Sequence, residues 1–329
     1  MPVKFLINPM ARAQGGPRLW TKLQEACARL GYVAGKDYSL EWTRPGHTVE
    51  QACRAAADWD RVLAVGGDGT VRAVAEGLYK AGTGAALGVI PRGTGNDFAR
   101  ATGIYQLWAR RRRLRVDDIV KRLTTGPTTA VDVLSLNDQL CFMCYCGVGW
   151  DAHVCHAYTQ LRRHRALQAV LRRRLINESI YGILALRYWS TRLPGMSLQI
   201  DTPETGWTAG SIPAGACAII ISNVASYAGG APLTAGSSPN DGQFEVTPIQ
   251  RPWFFALLVM SRYWRRLRPL CRLRSQRVRG LDISLPHGSA LQVDGDDATA
   301  VLANATRLSI RVAGQIPVVQ ALADSLVSP

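Results

Sequence analysis

Along the first part of the chain, short apolar runs alternate with longer stretches in which apolar residues return every third or fourth position. The first pattern reads as buried strand and the second as amphipathic helix. Val3 to Asn8, Ser39 to Thr43, Val62 to Val65 and Leu87 to Ile90 are the predicted strands. Helices fall near Arg18 to Leu30, Val49 to Ala57, Thr70 to Tyr79 and Asp117 to Leu123. Such alternation predicts a parallel sheet covered on both faces. After Thr124-Thr125-Gly126-Pro127 the pattern changes. Strand-like segments now dominate: Thr129 to Leu136, Gln139 to Cys146, Ser197 to Ile200, Ala216 to Ser222, Phe244 to Pro248, Leu281 to Leu285 and Leu308 to Val312. The expected fold is α/β: a parallel α/β domain over 1–126, then a β-rich, sandwich-like domain over 127–312, with 313–329 free to pack back on the first. Two arginine-rich helical inserts interrupt the second domain, around 161–192 and 251–268.

Two predicted strands run into glycine-rich loops. Val62 to Val65 leads into Gly66-Gly67-Asp68-Gly69-Thr70, and Leu87 to Ile90 into Pro91-Arg92-Gly93-Thr94-Gly95-Asn96-Asp97-Phe98-Ala99-Arg100. Ligands of α/β sheets bind beyond the carboxyl ends of strands. Glycine lets backbone amides approach a phosphate, and Thr70 and Thr94 can add donors. Phosphate handling is the chemistry implied. Taken singly, each loop also fits a plain turn, with Asp68 or Asn96 and Asp97 as helix caps. No G-K-[ST] follows, so no P-loop lysine is available. Neutralising charge has to come from Mg²⁺, from Arg92 or from backbone amides.

Further on, Ile221 to Pro232 carries a Gly-Gly-Ala-Pro loop, and Pro239-Asn240-Asp241-Gly242 is a turn between strands; both also fit ordinary β connections. Asp294-Gly295-Asp296-Asp297 places three carboxylates on a sharp turn, equally readable as a solvated hairpin tip.

The chain has 329 residues and a formal charge of +15. Only five lysines contribute, so the excess is arginine. Nine arginines and no acid lie between Arg251 and Arg279, and six between Leu161 and Arg174. Surfaces of that sign favour anionic lipid headgroups or other acidic ligands. Nucleic acid is disfavoured, since no helix-turn-helix, zinc or RNA-binding motif accompanies the arginines. Trp189 and Trp264 beside arginines favour a membrane interface. The apolar run Trp253 to Met260 is too short to span a bilayer, and Met1-Pro2-Val3-Lys4 leads directly into a strand, so a cytoplasmic, peripherally membrane-associated protein is expected. Of the eight cysteines, Cys141, Cys144, Cys146 and Cys155 lie near His153 and His156, yet they read as buried thiols rather than zinc ligands.

These motifs, in this order, resemble the diacylglycerol kinase catalytic-domain superfamily of lipid kinases. The resemblance spans nearly the whole chain: Asn8-Pro9 followed by Gly15-Gly16, Thr43 with Gly46-His47, the two glycine loops, Gly147-Val-Gly-Trp-Asp-Ala152, Ile221 to Pro232, Asp241-Gly242 and Val293-Asp294-Gly295. Pro91 to Arg100 is its most specific element. The resemblance implies that Asn8, Thr43, Gly66, Gly67, Asp68, Gly69, Thr70, Gly93, Thr94 and Asn96 hold ATP in a cleft between the domains. Asp68 and Asp97 would join the Mg²⁺ and phosphate network. Asp241, with the backbone carbonyls of Ser238 and Gln243, would hold a structural cation. The implied reaction is transfer of the γ-phosphate of ATP to a lipid hydroxyl, such as that of diacylglycerol. The family's closing D-G-E has Asp296 in place of the glutamate. One lost methylene retracts a carboxylate by about 1.5 Å, and a misplacement of ~1 Å costs on the order of a hundredfold in rate. The base is therefore Asp296 or Asp294, and Asp297 is given no role. Two alternatives stay open: NAD kinase-like phosphorylation of a soluble nucleotide, and a catalytically weak, membrane-binding relative of the kinase fold. A second copy of the chain as a partner also stays open.

Overall fold

The computed structural model describes residues 2–11, 16–109, 116–164, 174–212, 214–234, 236–262, 264, 266–267, 271, 273–302 and 305–320. Gly15, residues 321–329 and the insert arginines Arg165, Arg172, Arg173, Arg265, Arg268 and Arg272 lie outside them. The chain divides into two compact units, 1–133 with 313–329, and 134–312.

The first unit alternates β1 (Val3–Ile7), α1 (Gly16–Arg29), β2 (Tyr38–Trp42), α2 (Thr48–Asp58), β3 (Arg61–Gly66), α3 (Asp68–Ala81), β4 (Ala86–Pro91), α4 (Asp97–Ala101), α5 (Ile104–Ala109) and α6 (Val116–Thr125). The strands lie in the order β2-β1-β3-β4, all parallel. Every residue of β3 and β4 is buried, as expected where helices cover both faces of a sheet. Val71, Val74, Ala75 and Leu78 form the buried stripe of α3. Its Gly77 faces α2 so closely that an added Cβ would lie 2.4 Å from the Val49 carbonyl oxygen. Arg29 grips Asp117 through two hydrogen bonds of 2.9 and 2.8 Å, joining α1 to α6. The parallel α/β expectation is met.

β5 (Thr128–Leu136) leads into the second unit, which holds β6 (Leu140–Phe142), β7 (Tyr145–Gly149), α7 (Trp150–Arg163), α8 (Arg174–Arg187), β8 (Met196–Thr202), β9 (Gly206–Ile212), β10 (Ala218–Ser222), β11 (Ser226–Tyr227), β12 (Ala231–Pro232), β13 (Phe244–Ile249), α9 (Pro252–Ser261), β14 (Gln276–Val278), β15 (Gly280–Ser284), β16 (Leu291–Val293), β17 (Asp296–Asp297), α10 (Thr299–Leu302) and β18 (Arg307–Val319). From Ala313 onward β18 belongs to the first unit, where Val318 lies beside Leu87 of β4. Within the second unit β18, β15, β8 and β9 are neighbours in one antiparallel sheet, and β14-β13-β10-β7-β16-β17 form another. Leu198, Ile200, Ile283 and Ile310 of the first sheet share one apolar core with Val148, Ile219, Ile221, Phe244 and Leu291 of the second. A β-rich sandwich was expected, and this is one.

The expected strand Gln139 to Cys146 is in fact two, β6 and β7, in different sheets. Side chains far away in sequence take over the backbone between them. Asp294 Oδ1 accepts the N–H groups of Cys144 and Tyr145, while Asn223 donates to the Cys144 and Met143 carbonyls. The thiols are buried, Cys53 alone being half-buried.

Candidate active site

Strand register assembles a candidate site on the first unit. Ile7 lies opposite both Trp42 and Val65, Val65 opposite Ile90, and Gly66 opposite Pro91. The four strands therefore end at one level, and Asn8, Thr43, Gly66 and Pro91 form a row along the carboxyl edge. Pairing continues one residue further: the Thr43 N–H donates to Ile7, the Asn8 N–H to Val65 and the Arg92 N–H to Gly66, at 2.7 to 2.9 Å. Asn8 Nδ2 donates to Thr70 Oγ1 at 3.0 Å, and Asn8 Oδ1 accepts the Met10 N–H. Gly67 and Gly93 touch backbone to backbone; a Cβ on Gly93 would lie 2.5 Å from the Gly67 Cα.

The acids of these loops differ sharply. Asp68 opens α3 and is half-exposed, and its carboxylate accepts the Asn96 N–H (2.7 Å) and the Phe98 N–H (3.3 Å). It thus braces the second loop at the start of α4. Asn96 adopts a left-handed conformation (φ 54°) and clasps Gly93, accepting its N–H and donating to its carbonyl, both at 2.8 Å. Asp97 is fully buried, whereas Thr94 is exposed at the loop tip. The first turn of α3 supplies amides and the positive end of a helix dipole beside this row, the usual setting for a phosphate.

Within the second unit, a separate group of acids lies on the turn between β16 and β17. Asp294 holds a left-handed backbone (φ 50°), and its buried carboxylate is committed to the break between β6 and β7. Asp296 is exposed. With Asp297, Thr159, Arg162 and Arg163 it lines a cavity of about 360 Å³. Of the two acids considered as base, Asp296 is exposed and Asp294 is turned inward. Asp297 does have a role: its Oδ2 meets His156 Nδ1 of α7 at 2.9 Å, and its Oδ1 accepts the Thr299 N–H. Burial alone would raise the Asp297 pKa, but the Thr299 donors and His156 outweigh it and hold the group below the usual carboxylate range.

Behind this turn stands Asp151, in the first turn of α7. Its Oδ2 accepts from Gln292 Nε2 and Tyr227 Oη, both at 3.2 Å, and its buried Oδ1 has no hydrogen-bond partner among the described residues. Burial pushes its pKa up to about 7, and hydrogen bonds led by that from Gln292 offset only part of this. Gln292 Oε1 accepts the Gly295 N–H, so Asp151 reaches the turn through one side chain. Neither Asp151 nor His156 was assigned a function from sequence. Asp151 sits within the Gly147 to Ala152 motif, but nothing local marks His156, which lies 141 residues from Asp297.

The residues expected to bind a structural cation are adjacent, but Arg277 supplies the positive charge there. Its guanidinium lies 4.0 Å from Asp241 and 3.4 Å from Glu245, and Asp241 Oδ1 already accepts the Gln243 N–H. Among the described residues no group of three or more His, Cys, Asp or Glu side chains gathers to hold a metal ion. A divalent ion held by Asp241 and the Ser238 and Gln243 carbonyls would have to share this turn with the Arg277 guanidinium.

Residues 2–136 match the model of the diacylglycerol kinase catalytic domain, and residues 141–297 that of the diacylglycerol kinase accessory domain. With both domains present in order, the chain belongs to the diacylglycerol kinase family of lipid kinases, and it is an enzyme of the kinase class. It is 25% identical over 284 residues to a protein of Pectobacterium atrosepticum described as "Probable lipid kinase YegS-like", covering 85% of this chain and 86% of that one. A protein of the same description from Enterobacter sp. (strain 638) is 34% identical over 97 residues, 29% of each chain. The crystal structure of a diacylglycerol kinase from Bacillus anthracis superposes with a TM-score of 0.61 at 16% identity, covering 99% of this chain and 98% of that one, which supports the fold.

Proposed function

We propose that the protein transfers the γ-phosphate of ATP to a hydroxyl of a membrane lipid, diacylglycerol being the first candidate. The observation that carries this reading is the row of Asn8, Thr43, Gly66 and Pro91 at one sheet edge, with two glycine loops in backbone contact beside it. Gly66 to Thr70, with Gly93, Thr94 and Asn96, would cradle the phosphates through amides and hydroxyls. Mg²⁺ would arrive with the nucleotide, and Asp68 is the acid suited to face it: it is half-exposed, and carboxylate oxygens keep lone pairs beyond those its N–H donors use. Asp97, fully buried, would hold the loop rather than the ion. On the second unit, the turn that carries the exposed Asp296 would supply the group that receives an acceptor hydroxyl's proton.

A membrane as the source of substrate is supported by exposed apolar and cationic side chains together. Ile183 and Leu186 of α8 and Trp253 and Met260 of α9 are exposed, and Trp189, Arg192, Arg251 and Trp253 line a cavity of about 640 Å³. Tryptophan and arginine are the side chains that settle at an anionic bilayer surface. No described helix is long and apolar enough to cross a membrane, so we infer peripheral attachment at the cytoplasmic leaflet. The test is incubation with labelled ATP, Mg²⁺ and mixed micelles containing diacylglycerol, phosphatidylglycerol, a sphingoid base or no lipid. Label in a lipid is expected. Label only in a soluble nucleotide such as NAD would replace this reading by the NAD kinase-like one.

A further inference from the structure

We propose that His156, oriented by Asp297, is the group that takes the acceptor's proton, making up for the shortened carboxylate at position 296. The proposal rests on the lipid-kinase reading above. His156 Nδ1 lies 2.9 Å from Asp297 Oδ2, which fixes Nδ1–H as the donor and leaves the Nε2 lone pair as the base. The ring is 40% exposed, and its Nε2 has no partner among the described residues. Asp297 in turn is held by Thr299 and lines the same cavity as Asp296, so its contact ties His156 of α7 to the turn where the chain departs from the family's pattern. An aspartate held below its usual range is ionised at neutral pH and stabilises the imidazolium that forms. Imidazole is also the better base near neutrality, since an ordinary carboxylate titrates at about 4.

In the step itself, Nε2 takes the hydroxyl proton as the lipid oxygen bonds to the γ-phosphorus. The bond from that phosphorus to the β,γ-bridging oxygen breaks, ADP leaves with the electron pair, and the proton passes from Nε2 to water. The titratable groups that face His156 are Asp297 of β17 and His153 of its own helix, while Asp296, Arg162 and Arg163 line the cavity that Asp297 shares.

The test uses the full chain and whichever lipid the wild type phosphorylates; a wild type inactive on every lipid would defeat the functional reading itself. The pH dependence of kcat is compared for wild type, His156→Gln, Asp297→Asn and Asp296→Asn. His156→Gln is expected to lower kcat on the order of a hundredfold, to leave the KM for ATP within about twofold, and to abolish the acidic limb of the profile. Asp297→Asn should fall in between. Asp296→Asn should cost about tenfold or less and keep the limb. Nitrogen NMR of the wild-type imidazole supplies a readout independent of turnover: the Nδ1–H tautomer is expected, and it should be lost in Asp297→Asn. An acidic limb that survives in His156→Gln, or an Nε2–H tautomer in the wild type, overturns the proposal.

Discussion

At the scale of single residues, Asp151 is a buried carboxyl whose ionisation costs the fold stability. Its carboxyl titrates near neutrality in the fold but at the ordinary carboxylate value in the unfolded chain. Below about pH 4 both states are protonated and the group contributes nothing. Between about pH 4 and 7 the folded state binds the extra proton, so stability falls as pH rises, and above about pH 7 the full cost is present. Asp151→Asn keeps an acceptor for Gln292 and Tyr227 and cannot ionise. Its melting midpoint should therefore exceed that of the wild type by several degrees at pH 8 and match it at pH 4. A midpoint lowered equally at both pH values would show that the carboxylate is needed for its hydrogen bonds rather than tolerated despite its charge. Asp68 is the opposite case: both oxygens receive backbone N–H groups, so its negative charge is solvated by the fold.

Among elements, the two glycine loops act as one structure because their backbones touch at Gly67 and Gly93. Gly93→Ala puts a methyl group where the Gly67 Cα already is, and backbone cannot yield as a flexible side chain does. We expect a cost of about 1–3 kcal/mol, typical of overpacking, and at least tenfold weaker binding of a non-hydrolysable ATP analogue by calorimetry. Unchanged affinity would separate this contact from the nucleotide site. The Asp241 turn gives a second prediction at this scale. With Arg277 facing both Asp241 and Glu245, removing the guanidinium leaves Glu245, already raised in pKa by burial, without its cation. Arg277→Ala should cost about 1 kcal/mol, whereas a chelator should leave the wild-type midpoint in place. A chelator-sensitive midpoint would restore a cation to this turn.

For the molecule as a whole, charge is the dominant property. Under the proposed membrane attachment, a formal +15 concentrated in arginines would make binding to anionic bilayers long-ranged and salt-dependent, since the screening length is about 10 Å at 0.1 M and about 3 Å at 1 M. The exposed tryptophans add an apolar component that salt does not weaken. Cosedimentation with vesicles containing phosphatidylglycerol should thus fall severalfold between 0.05 M and 0.5 M salt without vanishing, and Trp253→Ala should remove most of the residue that remains at high salt. Equal binding to neutral vesicles at all salt concentrations would defeat the electrostatic account.

How much of this was legible beforehand follows from the range of the interactions involved. Alternating strand and helix patterns and glycine-rich turns depend on near neighbours, so the parallel sheet, the β-rich second half and the position of both loops could be read from the chain alone. Their shared level at the sheet edge followed from register, which apolar patterning specifies. The direction of a carboxylate is another matter. Asp294, Asp296 and Asp297 look alike on one turn, yet Asp294 is drawn inward by two amides of residues 144 and 145, Asp296 faces the cavity, and Asp297 meets His156. The same distant hydrogen bonds split residues 139–146 between two sheets. Sequence by itself determined where chemistry could gather, because propensity and turn geometry are local. Only the tertiary structure decided which oxygen and which nitrogen are available for it, because satisfying buried backbone groups brings together residues that spacing never relates.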